Sequence, residues 1–63
     1  MTQHDIAAIL SDALKYVARG LFDYVHAPGL AEYSVDGQTV YYDEFEVQSR
    51  NGKRFRVTVK QLN

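Results

Sequence analysis

The chain has 63 residues, 46% of them hydrophobic, and no cysteine. This length limits it to one small domain, and the composition excludes both a disordered chain and a disulfide framework. No stretch reaches the roughly 20 apolar residues that a helical membrane span needs, and the N-terminus lacks the basic residues of a secretory leader. We therefore expect a soluble, cytoplasmic protein that does not contact membranes.

The formal net charge of −1 conceals an uneven distribution of charge along the chain. Residues 1–48 hold all eight acidic residues and two of the seven basic ones. Residues 49–63 hold the other five basic residues, which are Arg50, Lys53, Arg54, Arg56 and Lys60. The sequence therefore predicts a basic C-terminal block on an otherwise acidic protein.

The N-terminal part of the chain shows a helical period. Thr2 and Asp5 form a short capping-box signal, and Pro28 with Gly29 is a stop signal. Apolar residues recur at spacings of three and four: Ile6, Ile9, Leu10, Ala13, Leu14, Val17, Leu21, Tyr24 and Val25. The pattern predicts one amphipathic helix over about residues 3–26 whose apolar stripe faces the core.

The rest of the chain alternates turn signals with runs rich in valine, tyrosine, phenylalanine and threonine. These runs predict three strands, at about 31–35, 38–49 and 53–61, joined by two hairpins. The expected fold class is α+β. It is a single small domain with one N-terminal amphipathic helix packed on a three-stranded antiparallel meander, in the order α-β-β-β.

The second hairpin admits two registers. A two-residue turn at Asn51 and Gly52 would place the apolar residues of its two strands on opposite faces. A three-residue loop with Gly52 in the left-handed region aligns them instead. The facing pairs are then Val47 with Phe55, Phe45 with Val57, and Asp43 with Val59. In this register Asp43 lies on the core face, which is costly unless its carboxylate finds partners.

Tyr41 and Tyr42 are adjacent in the middle strand, so they point to opposite faces of the sheet. A continuous strand puts Tyr41 on the core face and Tyr42 outside. A bulge near Asp43 and Glu44 would reverse that assignment. In either arrangement one tyrosine of the pair is predicted to be exposed.

No constellation of residues indicates catalysis, a cofactor or a metal. His4 and His26, the only histidines, would lie about 33 Å apart on the predicted helix and could not share an ion. The glycines are isolated in turns and form no phosphate loop. The prediction is a protein that is not an enzyme and has no cofactor and no metal site.

Binding to another macromolecule is the remaining class of function. Phe22 falls off the apolar stripe of the predicted helix, beside small residues. This placement is typical of an interface anchor, and the alternative is that residues 28–33 fold back over the helix end and cover Phe22. The basic hairpin can be read as a solvated face, a nucleic-acid contact or a contact for an acidic protein. The candidate partner-binding residues are Phe22, Tyr41, Tyr42, Arg50, Arg54 and Arg56.

The leading hypothesis is a small non-enzymatic protein-binding module that acts as an inhibitor or adaptor on a larger complex. Tyrosine, with five residues in the chain, is favoured at protein interfaces. One alternative is a nucleic-acid-binding protein that uses the basic hairpin, and another is a structural homo-oligomer, such as a homodimer, that associates through the helix. No family motif is recognised. At the level of fold alone, the α-β-β-β layout resembles small phage and mobile-element proteins that bind host machinery.

Overall fold

The computed structural model describes residues 1–63, apart from the side chain of Arg19, and has one α-helix beside an antiparallel sheet of four strands. The elements are α1 (Gln3–Tyr16), a 3₁₀ turn (Arg19–Leu21), β1 (Phe22–Val25), β2 (Gly29–Val35), β3 (Gln38–Ser49) and β4 (Arg54–Val59). The α+β class is confirmed, with four strands instead of the predicted three. No helix in this described part of the chain has the length and apolar character to cross a bilayer.

The start of α1 is the predicted capping box. The hydroxyl of Thr2 accepts a hydrogen bond from the backbone N–H of Asp5 at 3.2 Å, and the carboxylate of Asp5 accepts one from the N–H of Thr2 at 2.8 Å. Both bonds satisfy donors that the first helical turn leaves free. The hydrogen bond from the Thr2 backbone also lowers the pKa of the Asp5 carboxyl.

The end of α1 differs from the prediction of a helix over 3–26, which is wrong by ten residues. The helix ends at Tyr16, and a short turn containing Gly20 leads into β1. Glycine weakens a helix by about 1 kcal/mol, and aromatic and β-branched residues such as Phe22 and Val25 suit a strand. Pairing with β3 gives this segment backbone hydrogen bonds and buries Val25 against Val47. The apolar spacing of this segment is compatible with a helix and with a strand, and its pairing with β3 favours the strand.

The sheet is organised around β3, which is twelve residues long. β2 pairs with the first half of β3 and β1 with its second half, both along the same edge, while β4 pairs with the opposite edge. Asp36 and Gly37, both with positive φ, form the two-residue turn between β2 and β3. The helix packs on β1, β3 and β4, so most of β2 and the start of β3 project beyond it.

The hairpin between β3 and β4 has the predicted three-residue loop. The N–H of Gly52 donates to the carbonyl of Ser49 and the N–H of Ser49 donates to the carbonyl of Lys53, both at 2.9 Å, and Gly52 has φ +85°. The ladder then aligns the apolar residues on one face, as predicted. Its aligned pairs include Val47 with Phe55, Phe45 with Val57 and Asp43 with Val59.

The core lies between α1 and the second half of β3. Its buried members are Val25, Phe45 and Val47, with Leu14, Phe22 and Val57 packed around them. The helix approaches the sheet through its small residues: Ala7 is fully buried and Ser11 is 2% exposed. The predicted inward stripe is therefore wrong in orientation, because Ile6, Ile9 and Leu10 are exposed. Small side chains let a helix lie close to a sheet, which turns the larger apolar residues to the side.

Candidate protein-binding surface

One side of α1 and the adjacent face of β4 together expose an apolar surface. Ile9 is 52% exposed and Phe55 is 54% exposed, and Ile6 and Leu10 are also exposed. We call this the α1–β4 surface: Ile6, Ile9, Leu10, Ala13 and Val17 from the helix and its C-cap, with Phe55 and the half-buried Val57 and Val59 from β4. Contiguous exposed apolar residues of this kind mark interaction sites in soluble proteins.

The helical and strand parts of this surface run side by side. Residues 6, 10, 13 and 17 recur at helical spacing and share one side of α1. Ile6, near the start of the helix, lines a shallow depression with Val59, near the end of β4. Leu14, near the other end of the helix, lines a depression with Phe22 of β1. The helix therefore runs antiparallel to β4, and its exposed row follows the strand from Val59 towards Phe55.

β4 is an edge strand: it pairs with β3, and no other strand of the described chain pairs with it. Two backbone hydrogen bonds show which residues of β3 direct their N–H and C=O groups towards β4. The N–H of Ser49 donates to the carbonyl of Lys53 in the β3–β4 hairpin, and the N–H of His26 donates to the carbonyl of Glu46 on the other side of β3. Odd-numbered residues of β3 therefore bond to β4, and even-numbered ones bond to β1 and β2.

This alternation along β3 determines which backbone N–H and C=O groups of β4 have no strand partner in the part of the chain that the structure describes. The residues of β4 that face odd-numbered residues of β3 are Phe55, Val57 and Val59. The residues between them direct their backbone N–H and C=O away from β3, because bonded and non-bonded positions alternate along a strand. These residues are Arg54, Arg56 and Thr58. The α1–β4 surface is thus bordered by a row of backbone donors and acceptors that can pair with another strand.

The opposite face of β4 carries the basic side chains, with the acidic residues of β3 beside them. Arg54 and Arg56 point to the face away from the helix, and Arg56 Nε lies 3.5 Å from Glu44 Oε2. The Tyr24 hydroxyl donates to Glu46 and lowers the pKa of that carboxyl, and the charge of Arg54 acts in the same direction. Positive charge therefore lies at the outer edge of the sheet, and negative charge lies one strand inside it.

Tyr42 and Arg56 are the two candidate residues that the structure brings together. They line one shallow depression with Tyr33 and Lys60 on the face away from the helix. The ring centroids of Tyr33 and Tyr42 are 5.9 Å apart, and Lys60 donates to the Tyr33 hydroxyl at 2.7 Å. β3 pairs without a bulge through this stretch, so Tyr42 lies on the outer face as the continuous register predicts. Its side chain is nonetheless half-buried by these neighbours.

Tyr41 lies on the helix side of the sheet and is 54% exposed. It is the more exposed tyrosine of the pair, because α1 begins over Asp43 and does not extend over Tyr41. Leu30 is exposed on the same side, opposite Asp43 in the ladder. This second apolar area lies on β2 and the first half of β3, on the side of the sheet away from β4.

Phe22 and Arg50 lie apart from the α1–β4 surface. Phe22 is a half-buried residue of β1 that packs against the core, so the placement on a helix face that suggested an interface anchor is wrong. Arg50 lies in the loop between β3 and β4, where its backbone N–H donates to the carbonyl of Leu21 at 3.2 Å.

The two histidines occupy different elements. His4 Nδ1 lies 2.6 Å from an Asp43 oxygen, whereas His26 follows β1 and stacks on Tyr24 with ring centroids 4.4 Å apart. Among the described residues, no three histidine, cysteine, aspartate or glutamate side chains gather as they would around a metal ion. The contact of His4 with Asp43 joins α1 to β3, and the stacking of His26 on Tyr24 lies at the end of β1.

The helical part of the surface does not follow from the helical period. That period predicts Ile6, Ile9 and Leu10 on the stripe that faces the core. The signal for the other orientation is the small pair Ala7 and Ser11, four residues apart on one side of the helix. A helix with large apolar residues on one side and small residues on the adjacent side can turn either side towards a sheet. The packing against the sheet decides between the two.

Comparison of this chain with protein-family models, with curated proteins and with solved structures found no match in any of the three.

Proposed function

We propose that this chain is a small non-enzymatic protein-binding module, of the inhibitor or adaptor type, that acts by covering a surface of a larger partner. The observation that carries the proposal is the α1–β4 surface. A chain of 63 residues has little apolar area to bury, and yet Ile9 and Phe55 leave about half of theirs in water. Burying such side chains on association supplies the free energy of typical protein contacts.

The charges support a protein partner over a nucleic acid. A nucleic-acid site needs an uninterrupted basic surface, and phosphate contacts dominate its affinity. Here Glu44 lies beside Arg56, and Glu46 is close enough to Arg54 for that charge to influence its pKa. Apolar area bordered by a few cations is instead typical of a protein interface with a polar rim.

The test is capture of partners from cells of the native host by tagged protein, with matched variants. Ile9→Asp and Phe55→Asp each place a charge in the α1–β4 surface, and Val35→Asp places the same charge on an exposed apolar residue at the end of β2, opposite Gln38. We expect proteins retained by the parent and by Val35→Asp to be lost from the two surface variants. Circular dichroism and thermal melts should show that all four proteins are folded.

Sedimentation velocity of the same four proteins separates this function from a homo-oligomer. A parent that sediments as a dimer, and an Ile9→Asp variant that sediments as a monomer, would replace the proposed function with self-association. Retention of the same proteins by the parent and by both surface variants would contradict the proposal, because the α1–β4 surface would then play no part in binding.

A further inference from the structure

We propose that the open edge of β4 receives an extended segment of the partner protein, whose residues alternate between apolar and acidic, as an additional strand of the sheet. This inference rests on the proposed function and specifies the chemistry of the partner. Strand addition to a sheet edge is a common mode of peptide recognition, in which main-chain bonds give affinity and side-chain alternation gives selectivity.

The backbone of β4 supplies the first argument. Arg54, Arg56 and Thr58 direct their N–H and C=O groups away from β3, so three consecutive outward positions are available to an added strand. Lys60 follows β4 at the next outward position, and its side chain is occupied by the Tyr33 hydroxyl. An incoming segment of about six residues would span this row at the usual strand spacing.

The side chains of β4 define which segment fits. On the helix side the strand presents Phe55, Val57 and Val59, and on the other side it presents Arg54 and Arg56. Opposite charges across neighbouring strands stabilise their pairing, and apolar pairs on the buried face do the same. An added strand therefore needs apolar residues towards the helix side and acidic residues towards the arginines.

The inner edge of β4 is already paired with a strand of this type. In β3, Phe45 lies opposite Val57 and Glu46 lies opposite Arg56. Glu44, two residues before Glu46 on the same face of β3, also contacts Arg56. Each side chain of β4 projects from one face of the sheet, where it can contact a neighbouring strand on either side of β4. A segment with the alternation of β3 therefore meets the same chemistry on the outer edge.

The helix extends the apolar part of the site beyond the strand. Ile6 and Leu10 stand on the side of α1 that flanks β4, and both are exposed. Apolar side chains of an added strand would lie next to Phe55 and Val57, on the side of the sheet where Ile6 and Leu10 are exposed. The α1–β4 surface and the open edge then form one site, with the apolar area serving one face of the added strand.

A second copy of this chain is a poorer occupant. If the β4 strands of two copies paired with both helices on the same side of the sheet, Arg54, Arg56 and Lys60 of both copies would share the other face. Neighbouring cations on paired strands repel one another and destabilise the pairing.

β1 and β2, the two strands that form the other edge of the sheet, carry one acidic residue each. Asp23 of β1 accepts a hydrogen bond from Gln48. Glu32 of β2 has Tyr41 as its ladder partner. Glu32 therefore lies on the helix side, where β4 is apolar. Neither edge of the chain offers the acidic pattern that β4 fits.

The experiment uses a synthetic peptide with the sequence of residues 42–49 as the probe. A control peptide carries Glu44→Lys and Glu46→Lys. The full-length protein, labelled with ¹⁵N, is titrated with each peptide while chemical shifts and amide hydrogen exchange are followed. We expect the acidic peptide to slow exchange at the amides of Arg54, Arg56 and Thr58, and the lysine peptide to bind at least about tenfold more weakly.

Two pairs of protein variants test the edge itself. Thr58→Pro removes an outward N–H without breaking a bond to β3, and Ser34→Pro removes an outward N–H from β2 in the same way. We expect Thr58→Pro to weaken peptide binding by at least about tenfold and Ser34→Pro to leave it unchanged. Arg56→Gln should weaken binding about threefold, whereas Lys15→Gln, on the other flank of α1, should have no effect.

Each contrary result identifies what fails. Absence of peptide binding to the parent, equal binding of the acidic and lysine peptides, or loss of binding in Ser34→Pro but not in Thr58→Pro would overturn strand addition. If Thr58→Pro retains the host proteins that Ile9→Asp loses, strand addition is wrong and the proposed protein-binding function stands. If Ile9→Asp retains them as well, the proposed function itself fails.

Discussion

His4 Nδ1, in the first turn of α1, lies 2.6 Å from Oδ2 of Asp43, near the middle of β3. The side-chain amide of Gln3 donates to the other oxygen of Asp43 at 2.9 Å. Asp43 is 1% exposed, so a carboxylate on the core face has both of its oxygens partnered beneath the start of the helix. These contacts join α1 to the sheet at the point where the sequence predicted an expensive buried charge.

Asp43→Ala should destabilise the fold by about 1–3 kcal/mol, because it removes the two side-chain contacts, with Gln3 and His4, that the buried carboxylate makes with the start of α1. Asp12→Ala, an exposed position on α1, should change the free energy of unfolding by less than about 0.5 kcal/mol. Urea unfolding of the two variants and the parent measures both values. Equal midpoints for Asp43→Ala and the parent would show that these contacts do not stabilise the protein.

The pH dependence of stability should also carry the signature of Asp43. The hydrogen bond from Gln3, and next the contact with His4, lower the pKa of this carboxyl below its usual value of 3.8. The group therefore contributes stability that is complete above about pH 5 and is lost as the pH falls through 3.8 towards the lower folded pKa. Urea unfolding from about pH 6 to pH 2 should show a smaller acid loss for Asp43→Asn than for the parent. Identical pH curves would contradict the assignment.

Gly52→Val should destabilise the hairpin between β3 and β4 by about 1–3 kcal/mol, because Gly52 has φ +85° and valine is strained in that region. The matched control is Gly29→Val. Gly29 lies in β2 without positive φ, and a side chain there meets nothing within 4 Å. Thermal melts should separate the two variants. If Gly52→Val melted with the parent, the loop would have a different backbone conformation in solution.

Phe22→Asp should destabilise the fold and should not act as a selective interface variant. Phe22 is half-buried against the cluster of Val25, Phe45 and Val47. Full burial of such a side chain is worth about 1.5–3 kcal/mol, so we expect a loss in the lower part of that range. Leu21→Asp, at the exposed preceding residue, should leave the melting temperature within a few degrees of the parent. A stable Phe22→Asp variant that loses its partner would instead restore Phe22 as an interface residue.

The basic hairpin should not retard nucleic acid. Glu44 and Glu46 interrupt the basic surface of Arg54 and Arg56, and non-specific binding to a phosphate backbone depends on charge alone. Mixed-sequence DNA or RNA at low salt should therefore migrate unchanged in a gel-shift titration. A retarded band that weakens steeply with salt and disappears in the double variant Arg54→Ala/Arg56→Ala would establish the nucleic-acid alternative. A positive control with a known DNA-binding protein validates the conditions.

Local chemistry was enough to predict part of this structure. Thr2 and Asp5 determine where the helix begins, because a capping box satisfies its own donors within four residues. The apolar alternation of β3 and β4 determines the register of the second hairpin, since any slip by one residue would expose Phe45 and Val47. The α+β class and the bounds of β3 follow from the same patterns. None of these features depends on a distant partner.

Tertiary packing decided the rest. The segment from Phe22 to Val25 satisfies both a helical and a strand pattern, and the open edge of β3 makes the strand more favourable. The helix carries a small row and a large apolar row on adjacent sides, and only close approach to the sheet turns Ala7 inward and Ile6 outward. Asp43 is tolerated on the core face because residues about forty positions away supply its hydrogen bonds. Each of these outcomes depends on contacts between segments distant in sequence, which a local pattern of residue types does not contain.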